Sequence, residues 1–307
     1  MFQLPQLSRE SRGRAIVNLL SLDEGESIAS CRAIQDFSAE DHYLIMCTRK
    51  GLVKKTPLVA YSRPRSNGII AIKLRDDDSL IKAVVAKKGD ELVMATADGM
   101  AIRFKESDAR PMSRNTSGVK GISLRAGDEV VGMVVTDPGA TLFTACEKGY
   151  GKRTLFGPNQ AGADDAGSSD GDDETSGSAR YRTQNRGGKG LRDIKTTDRN
   201  GKVISIVTVN DDDELLLMTS GGKIQRIACS DLGVIGRNTQ GVRIMRLSAD
   251  DTLAVIARVP RDENEGDEAD VETPDDPESG GDVATADAAD TSEVSDSDSK
   301  PAEDDKE

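Results

Sequence analysis

The residues of this chain best placed to do chemistry are Gln184, Asn185, Arg186, Gly187, Gly188, Lys189 and Gly190. Three glycines in four positions remove side chains, so backbone N–H groups can come close to a ligand. Arg186 and Lys189 add fixed positive charge on either side. Successive amides with two cations suit the phosphates of a polyanion backbone. The run is not a P-loop, because it lacks GxxxxGK(S/T) and no helical period follows it. Taken alone, it is equally a tight inter-strand turn with incidental charge.

Other chemistries find few residues. His42 is the single histidine, and Cys31, Cys47, Cys146 and Cys229 contain no CxxC pair. Zinc spacing and Cys–His or Ser–His pairs are poorly supported. Cys47 and Cys146 sit in apolar strand-like runs and read as small buried thiols. Tyr43, Tyr61, Tyr150 and Tyr181 lie in strands or turns, and none is assigned as a nucleophile. The expectation is a chain with no catalytic residue, no metal site and no cofactor of its own.

The glycine-rich run belongs to a repeated pattern. SRESRGRAIVNL (from Ser8), SRPRSNGIIAIKL (from Ser62), SRNTSGVKGISL (from Ser113), RTQNRGGKGLRDIK (from Arg182) and GRNTQGVRIMRL (from Gly236) are polar, Arg-bearing turns followed by a short strand. Aligning them on Gly13, Gly68, Gly118, Gly188 and Gly241 assigns each turn its cations: Arg9, Arg12 and Arg14; Arg63 and Arg65; Arg114 and Lys120; Arg186 and Lys189; Arg237 and Arg243. On one rim these would form a cationic track for bent duplex DNA, held by phosphates without base specificity.

A second pattern alternates with the first: YLIMCTRKGLVKKT, ELVMATADGMAIRF, TLFTACEKGYGKRT and ELLLMTSGGKIQRI. Each reads as a β-hairpin turning at Gly51, Gly99, Gly149 or Gly222. Four residues past each glycine stands a cation: Lys55, Arg103, Arg153 and Arg226. That constancy assigns these four to the phosphate-contacting set as well. Each unit of about 50 residues thus carries about four short strands, the size of one propeller blade. The fold class is all-β, a propeller-like array whose blades must stack to bury both faces.

Charge is unevenly distributed. The 307 residues carry 41 basic and 54 acidic side chains, a net of −13. Residues 261–307 hold 20 acidic and 3 basic residues, and 160–179 hold 6 acidic and none basic. Without these two stretches the body is basic, a composition that suits a polyanion partner. Both stretches are Ser/Gly/Asp/Glu-rich and are expected to be disordered. The domain expectation is therefore 1–260 as about five blades, the first incomplete, with an acidic insertion at 160–179 and a tail at 261–307. No apolar run approaches the ~20 residues of a membrane span, and no signal-peptide pattern opens the chain. A cytoplasmic, chromosome-associated protein is expected.

QNRGGKG resembles the signature box of the C-terminal domain of the DNA gyrase A protein. FQLPQLSRESRGRAIVNLL, SRPRSNGIIAIKL, RNTSGVKGISL, GYGKRT and GRNTQGVRIMRL resemble other turns and hairpins of that domain, over about Phe2 to Val259. Two departures stand out. Asn185 occupies a place where the signature usually has a basic residue, and the box lies in a late repeat. The resemblance implies a β-pinwheel that wraps DNA on its rim and supports ATP-dependent negative supercoiling. The same resemblance leaves the hairpin of the first blade, and the breakage domain with its catalytic tyrosine, outside this chain. Double-stranded DNA, the gyrase A breakage domain and the gyrase B subunit would be partners, with ATP and Mg held by those other parts. The C-terminal domain of topoisomerase IV, which shares the fold, and a propeller binding protein partners are the alternatives.

Overall fold

The computed structural model describes residues 22, 25–65, 68–157, 180–248 and 250–260, all within one unit, Met1–Asp262. The turn cations Arg9, Arg12 and Arg14, the acidic stretch 160–179 and the tail 261–307 lie outside the described residues.

Four hairpins organise the chain: β1 (His42–Thr48) with β2 (Leu52–Pro57), β4 (Glu91–Thr96) with β5 (Met100–Lys105), β8 (Thr141–Cys146) with β9 (Tyr150–Leu155), and β12 (Glu214–Thr219) with β13 (Ile224–Ala228). Their turn glycines hold φ of +82, +83, +75 and +84°, the left-handed region only glycine enters without strain. Each turn glycine donates its N–H to the carbonyl three residues back, for example Gly99 to Thr96 at 3.0 Å.

After the second, third and fourth hairpins the chain crosses to the preceding hairpin, and after every hairpin it returns as the third strand of its own sheet. The returning strands are β3 (Leu80–Lys87), β7 (Val130–Val135), β11 (Val203–Val209) and β15 (Leu253–Val259). The crossing segments, described over 106–128, 180–202 and 229–248, each leave two residues on the preceding hairpin: β6 (Val119–Lys120) on β2, β10 (Leu191–Arg192) on β5, and β14 (Val242–Arg243) on β9. The sheets therefore run β3-β1-β2-β6, β7-β4-β5-β10, β11-β8-β9-β14 and β15-β12-β13. Neighbouring blades exchange strands, and the expected pinwheel-like all-β array is present, with no α-helix among the described residues. No helix of those residues is long and apolar enough to cross a membrane.

Burial explains the strand sequences. In β4, Leu92 and Met94 pack with Ile45, Val53 and Ile122 of the first blade, while Val93 and Ala95 pack with Leu142 and Phe156 of the third. In β8, Leu142 and Cys146 face the second blade, and Phe143 and Ala145 face the fourth, against Leu215 and Leu217. Both faces of an internal blade are buried, so its central strand is buried throughout and mostly apolar. β12 alternates instead, with Leu215 and Leu217 buried and Leu216 and Met218 half-exposed. The period of two appears where one face meets solvent.

Candidate nucleic-acid interface

The crossing segments are joined in series by main-chain hydrogen bonds. Lys73 N–H donates to Thr116 O at 3.0 Å, linking the segment after the first hairpin to the one after the second. Gly187 N–H donates to Gly121 O at 2.8 Å, and Ser123 N–H to Gly188 O at 2.8 Å, linking the second to the third. Asn238 N–H donates to Asp193 O at 2.7 Å, and Lys195 N–H to Thr239 O at 2.8 Å, linking the third to the fourth. The arginine-bearing turns thus form one continuous strip of backbone. Arg63 and Arg65 are exposed, and Arg65 and Arg114 line the same cleft, of about 470 Å³, between the first two turns. Lys120, Lys189 and Arg243 are exposed, and Arg237 is half-buried.

The glycine-rich run fastens to its neighbours more than its composition suggests. Gly187, at φ +87°, spends its amide on Gly121, and Ser123 Oγ donates to Gly187 O at 2.7 Å. Arg186 turns its guanidinium to the carbonyls of Asp108 (3.0 Å from Nε) and Lys120. Gln184 N–H donates to Arg103 O, while its buried side-chain Oε1 accepts no hydrogen bond among the described residues. The amides of Gly188 and Lys189 make no hydrogen bond among the described residues, and Asn185 and Lys189 are exposed. The amides left open to a ligand therefore lie in the second half of the run. Gly190, at φ +78°, lies so close to β5 that a Cβ would stand 2.6 Å from Ala101 O.

That close approach corrects the alignment of the turns. Gly118 and Gly241 make the same one, 2.6 Å from Val53 O and Gly151 O. Gly190, and not Gly188, is their equivalent. In this register Arg114, Arg186 and Arg237 stand four residues before the glycine, and Lys120, Arg192 and Arg243 two after it. Arg192, half-buried, was missed because the two-residue shift placed it outside the pattern. Arg199 was missed as well. Its guanidinium lies 5.1 Å from the Tyr150 ring and Arg243 lies 5.4 Å from it, and both donate to the Tyr150 hydroxyl. Those two donors lower the Tyr150 pKa below its ordinary value.

Three hairpin cations do not face the solvent. Lys55, Arg103 and Arg153 are buried, and they clasp neighbouring blades together. Each reaches back twelve positions to the start of its own hairpin. Lys55 Nζ lies 3.9 Å over the Tyr43 ring, Arg103 Nε is 2.6 Å from Glu91 Oε2, and Arg153 Nε is 3.1 Å from Thr141 Oγ1. Each also reaches the following repeat. Lys55 pairs with Glu106, Arg103 donates to Phe156 O (2.8 Å) and Tyr181 O (3.0 Å), and Arg153 donates to the carbonyls of Cys229 and Leu232 and pairs with Asp211. Their constancy is structural: the two buried guanidinium groups answer carbonyls that would otherwise be orphaned, and the buried ammonium answers the Glu106 carboxylate. Arg226, in the last blade, pairs with Glu214 and is exposed.

Two more buried lysines support the strip from beneath. Lys152 is 2.8 Å from Asp193 Oδ1, and Asp193 also accepts from Thr144 Oγ1 (2.7 Å) and the Tyr181 hydroxyl (2.5 Å). Burial lowers the Lys152 pKa against the pull of Asp193, and burial beside Asp193 raises that of Tyr181. Lys54 bonds the carbonyls of Ala71 and Arg114, and burial next to the Arg114 charge lowers its pKa to about 8. Cys47 and Cys146 are buried, with burial pushing both thiols up to about 12. Among the described residues no group of His, Cys, Asp and Glu could hold a metal.

A family model described as DNA gyrase C-terminal domain, beta-propeller, matches residues 42–87, 90–137, 179–210 and 213–260. The DNA gyrase A protein of Staphylococcus aureus (strain MRSA252) is 37% identical over 269 residues, covering 87% of this chain and 28% of the relative. The chain thus spans less than a third of the length of that relative. Among solved structures, a DNA gyrase A C-terminal domain superposes with a TM-score of 0.66 at 25% identity, covering 81% of this chain and 76% of that one. The C-terminal domain of a DNA topoisomerase IV superposes with a TM-score of 0.70 at 23% identity, over 84% and 73%, a likeness of fold.

Proposed function

The chain belongs to the DNA gyrase C-terminal beta-propeller family, and from that premise we propose that it is a DNA-wrapping module of a gyrase A protein. Duplex DNA lies along the strip of crossing segments, held by phosphate contacts from Arg63, Arg65, Arg114, Lys120, Lys189, Arg192, Arg237 and Arg243. The observation that carries this reading is the unbroken hydrogen-bonded series of arginine-bearing turns. A strip of backbone that does not shift relative to itself presents its cations at fixed spacing, which many weak phosphate contacts need in order to hold a bend costing several kcal/mol. The module acts without catalysis or cofactor of its own. Breakage, ATP and Mg chemistry belong to the gyrase A breakage domain and the gyrase B subunit, and the wrap biases strand passage toward negative supercoils. The place of action is the cytoplasm, on the chromosome. The 37% identity to a gyrase A protein favours gyrase over topoisomerase IV.

The test is the salt dependence of binding to a nonspecific linear duplex. Replacing Lys120, Lys189, Arg192 and Arg243 by Ala lowers the slope of log K against log salt by about 0.9 for each phosphate no longer neutralised. DNA bending, read by energy transfer between duplex ends, falls in the same variant. An unchanged slope and unchanged bending refute the proposal, and a chain that never shifts the duplex points to a protein-binding array.

A further inference from the structure

One junction of the strip gathers more charge than the others. At each of the first three hairpins a cation of the crossing segment stands opposite the residue that follows the turn glycine: Lys120 opposite Leu52, Arg192 opposite Met100, and Arg243 opposite Tyr150. Leu52 and Met100 carry no oxygen to accept from a cation. Tyr150 does, and its hydroxyl accepts from Arg243 Nη2 at 2.9 Å and from Arg199 Nε at 3.3 Å. Arg199 stands nine residues after Gly190, and the same distance after Gly68, Gly118 and Gly241 gives Asp77, Gly127 and Asp250. A second guanidinium beside the strip cation is therefore particular to this junction.

The two arginines are held in place from beneath. Asn200 is 0% exposed and closes the turn that carries Arg199. Its Oδ1 accepts from Thr197 N–H at 2.8 Å, and its Nδ2 donates to Lys195 O at 3.0 Å and to Gln240 O at 3.1 Å. Lys195 follows the third hairpin and Gln240 the fourth, so one buried amide ties the turn of Arg199 to the segment of Arg243. The Tyr150 ring is 5% exposed, with the guanidiniums 5.1 and 5.4 Å from its centre. Both arginines are exposed, and neither makes an ion pair among the described residues. A guanidinium has five N–H donors. Each gives one to the hydroxyl, and the others make no hydrogen bond among the described residues. Two like charges gathered on one neutral oxygen repel each other, and an anion between them turns that repulsion into attraction.

We propose that Arg199 and Arg243 together hold a single phosphate of the duplex, with Tyr150 and Asn200 positioning them. The inference rests on the strip being the track of the duplex, and adds to it one doubly held contact that fixes where the backbone sits. Guanidinium forks suit the role, because phosphate oxygens accept from parallel N–H pairs that an ammonium does not offer. A phosphate held by two cations stays neutralised when one of them is lost. Cations on two separate phosphates have no such overlap.

The salt dependence of binding to a nonspecific linear duplex separates the two arrangements. In the full 307-residue chain, Arg199→Ala and Arg243→Ala each weaken binding about tenfold at fixed salt, with the slope of log K against log salt close to that of the parent. The double variant lowers the slope by about 0.9, the value for one phosphate. A fall of about 1.8 means two independent contacts and overturns the shared phosphate while the strip stands. Tyr150→Leu repeats the side chain of the first junction, and in that background Arg199→Ala weakens binding less than about threefold; an undiminished effect overturns the part given to Tyr150. Urea unfolding of the same variants guards against a purely structural role, since Arg199→Ala with lower stability and unchanged binding makes the pair a staple between segments and overturns the proposal. A parent that binds no duplex overturns the strip and this contact together, whereas a parent that binds no better than Arg199→Ala overturns this contact alone.

Discussion

Arg103 offers the sharpest separation between a cation that holds the fold and one that holds a ligand. It is 1% exposed, its Nε is 2.6 Å from Glu91 Oε2, and its Nη1 donates to Phe156 O at 2.8 Å and Tyr181 O at 3.0 Å. Arg103→Met keeps the bulk and removes every donor. Glu91 is then left buried, with Thr183 Oγ1 at 2.9 Å as a remaining side-chain donor, and the carbonyls of Phe156, Gly157 and Tyr181 lose this donor. Breaking a buried ion pair from one side costs about 3–5 kcal/mol. For a body of this size that corresponds to a fall in Tm of about 6–20 °C. Glu91→Gln in the same chain removes the stranded charge, so the double variant should regain about half of the loss, and the cycle should give a coupling of about 1–3 kcal/mol. The assays are urea unfolding followed by circular dichroism, and duplex binding across a salt series at a temperature where each variant is folded. The salt slope of Arg103→Met should equal that of the parent. Lys189→Ala, by contrast, should leave stability within about 0.5 kcal/mol and lower the slope by about 0.9. If Arg103→Met proves as stable as the parent and lowers the slope, the clasp reasoning is wrong and the side chain reaches phosphate.

The two glycines Gly190 and Gly68 share φ near +78° but differ in what a methyl would meet, Ala101 O at 2.6 Å against nothing within 4 Å. Gly68→Ala should cost about 1–2 kcal/mol for the left-handed backbone alone, and Gly190→Ala clearly more, because β10 must move off β5; equal losses in urea unfolding would refute the close approach. Lys54 has a folded pKa lowered to about 8 against 10.5. Between those values the unfolded chain binds more protons than the folded one, so Lys54 makes stability rise with pH over this window. Measured from pH 7.5 to 10.5, the stability of the parent relative to Lys54→Met should therefore rise by up to about 3 kcal/mol, and a flat difference would contradict the assignment. Deleting residues after Pro260 removes 20 acidic and 3 basic side chains. Duplex affinity should increase at low salt and the gain should fade as salt screens it, whereas no gain at low salt would make the tail a solvating appendage.

Much of the fold is written in spacing. The hairpins announce themselves because a left-handed turn residue is needed at Gly51, Gly99, Gly149 and Gly222, and few residues other than glycine serve. Strand exchange is not legible in the same way. A two-residue strand such as Val119–Lys120 carries too little pattern to say which hairpin it joins, and only the approach of Gly118 to Val53 O reveals the partner. The register of the third turn failed for a related reason. Gly187, Gly188 and Gly190 offer three candidate anchors, and the sequence has no means of marking which one meets β5. Burial was the other illegible quantity. The position shared by Lys55, Arg103 and Arg153 is constant because each must answer acceptors of the next blade, a carboxylate for Lys55 and carbonyls for the arginines, and a constant cation at a ligand surface looks the same in a string of residues.

The distinction changes how the charge of the body bears on its partner. A count of Arg and Lys treats every cation as open to a polyanion, yet Lys54, Lys55, Arg103, Lys152 and Arg153 are buried and bonded within the protein. Their fields are largely answered by Glu91, Glu106, Asp193, Asp211 and backbone carbonyls at short range. What remains for a ligand is the smaller set on the crossing segments, and its strength lies in geometry more than in number. The clasps fix one blade to the next, the main-chain bonds fix one crossing segment to the next, and the exposed cations inherit that fixed spacing. Loosening a clasp should therefore weaken a wrapped complex by letting the strip flex, while leaving the number of phosphates neutralised, and so the salt slope, as it was.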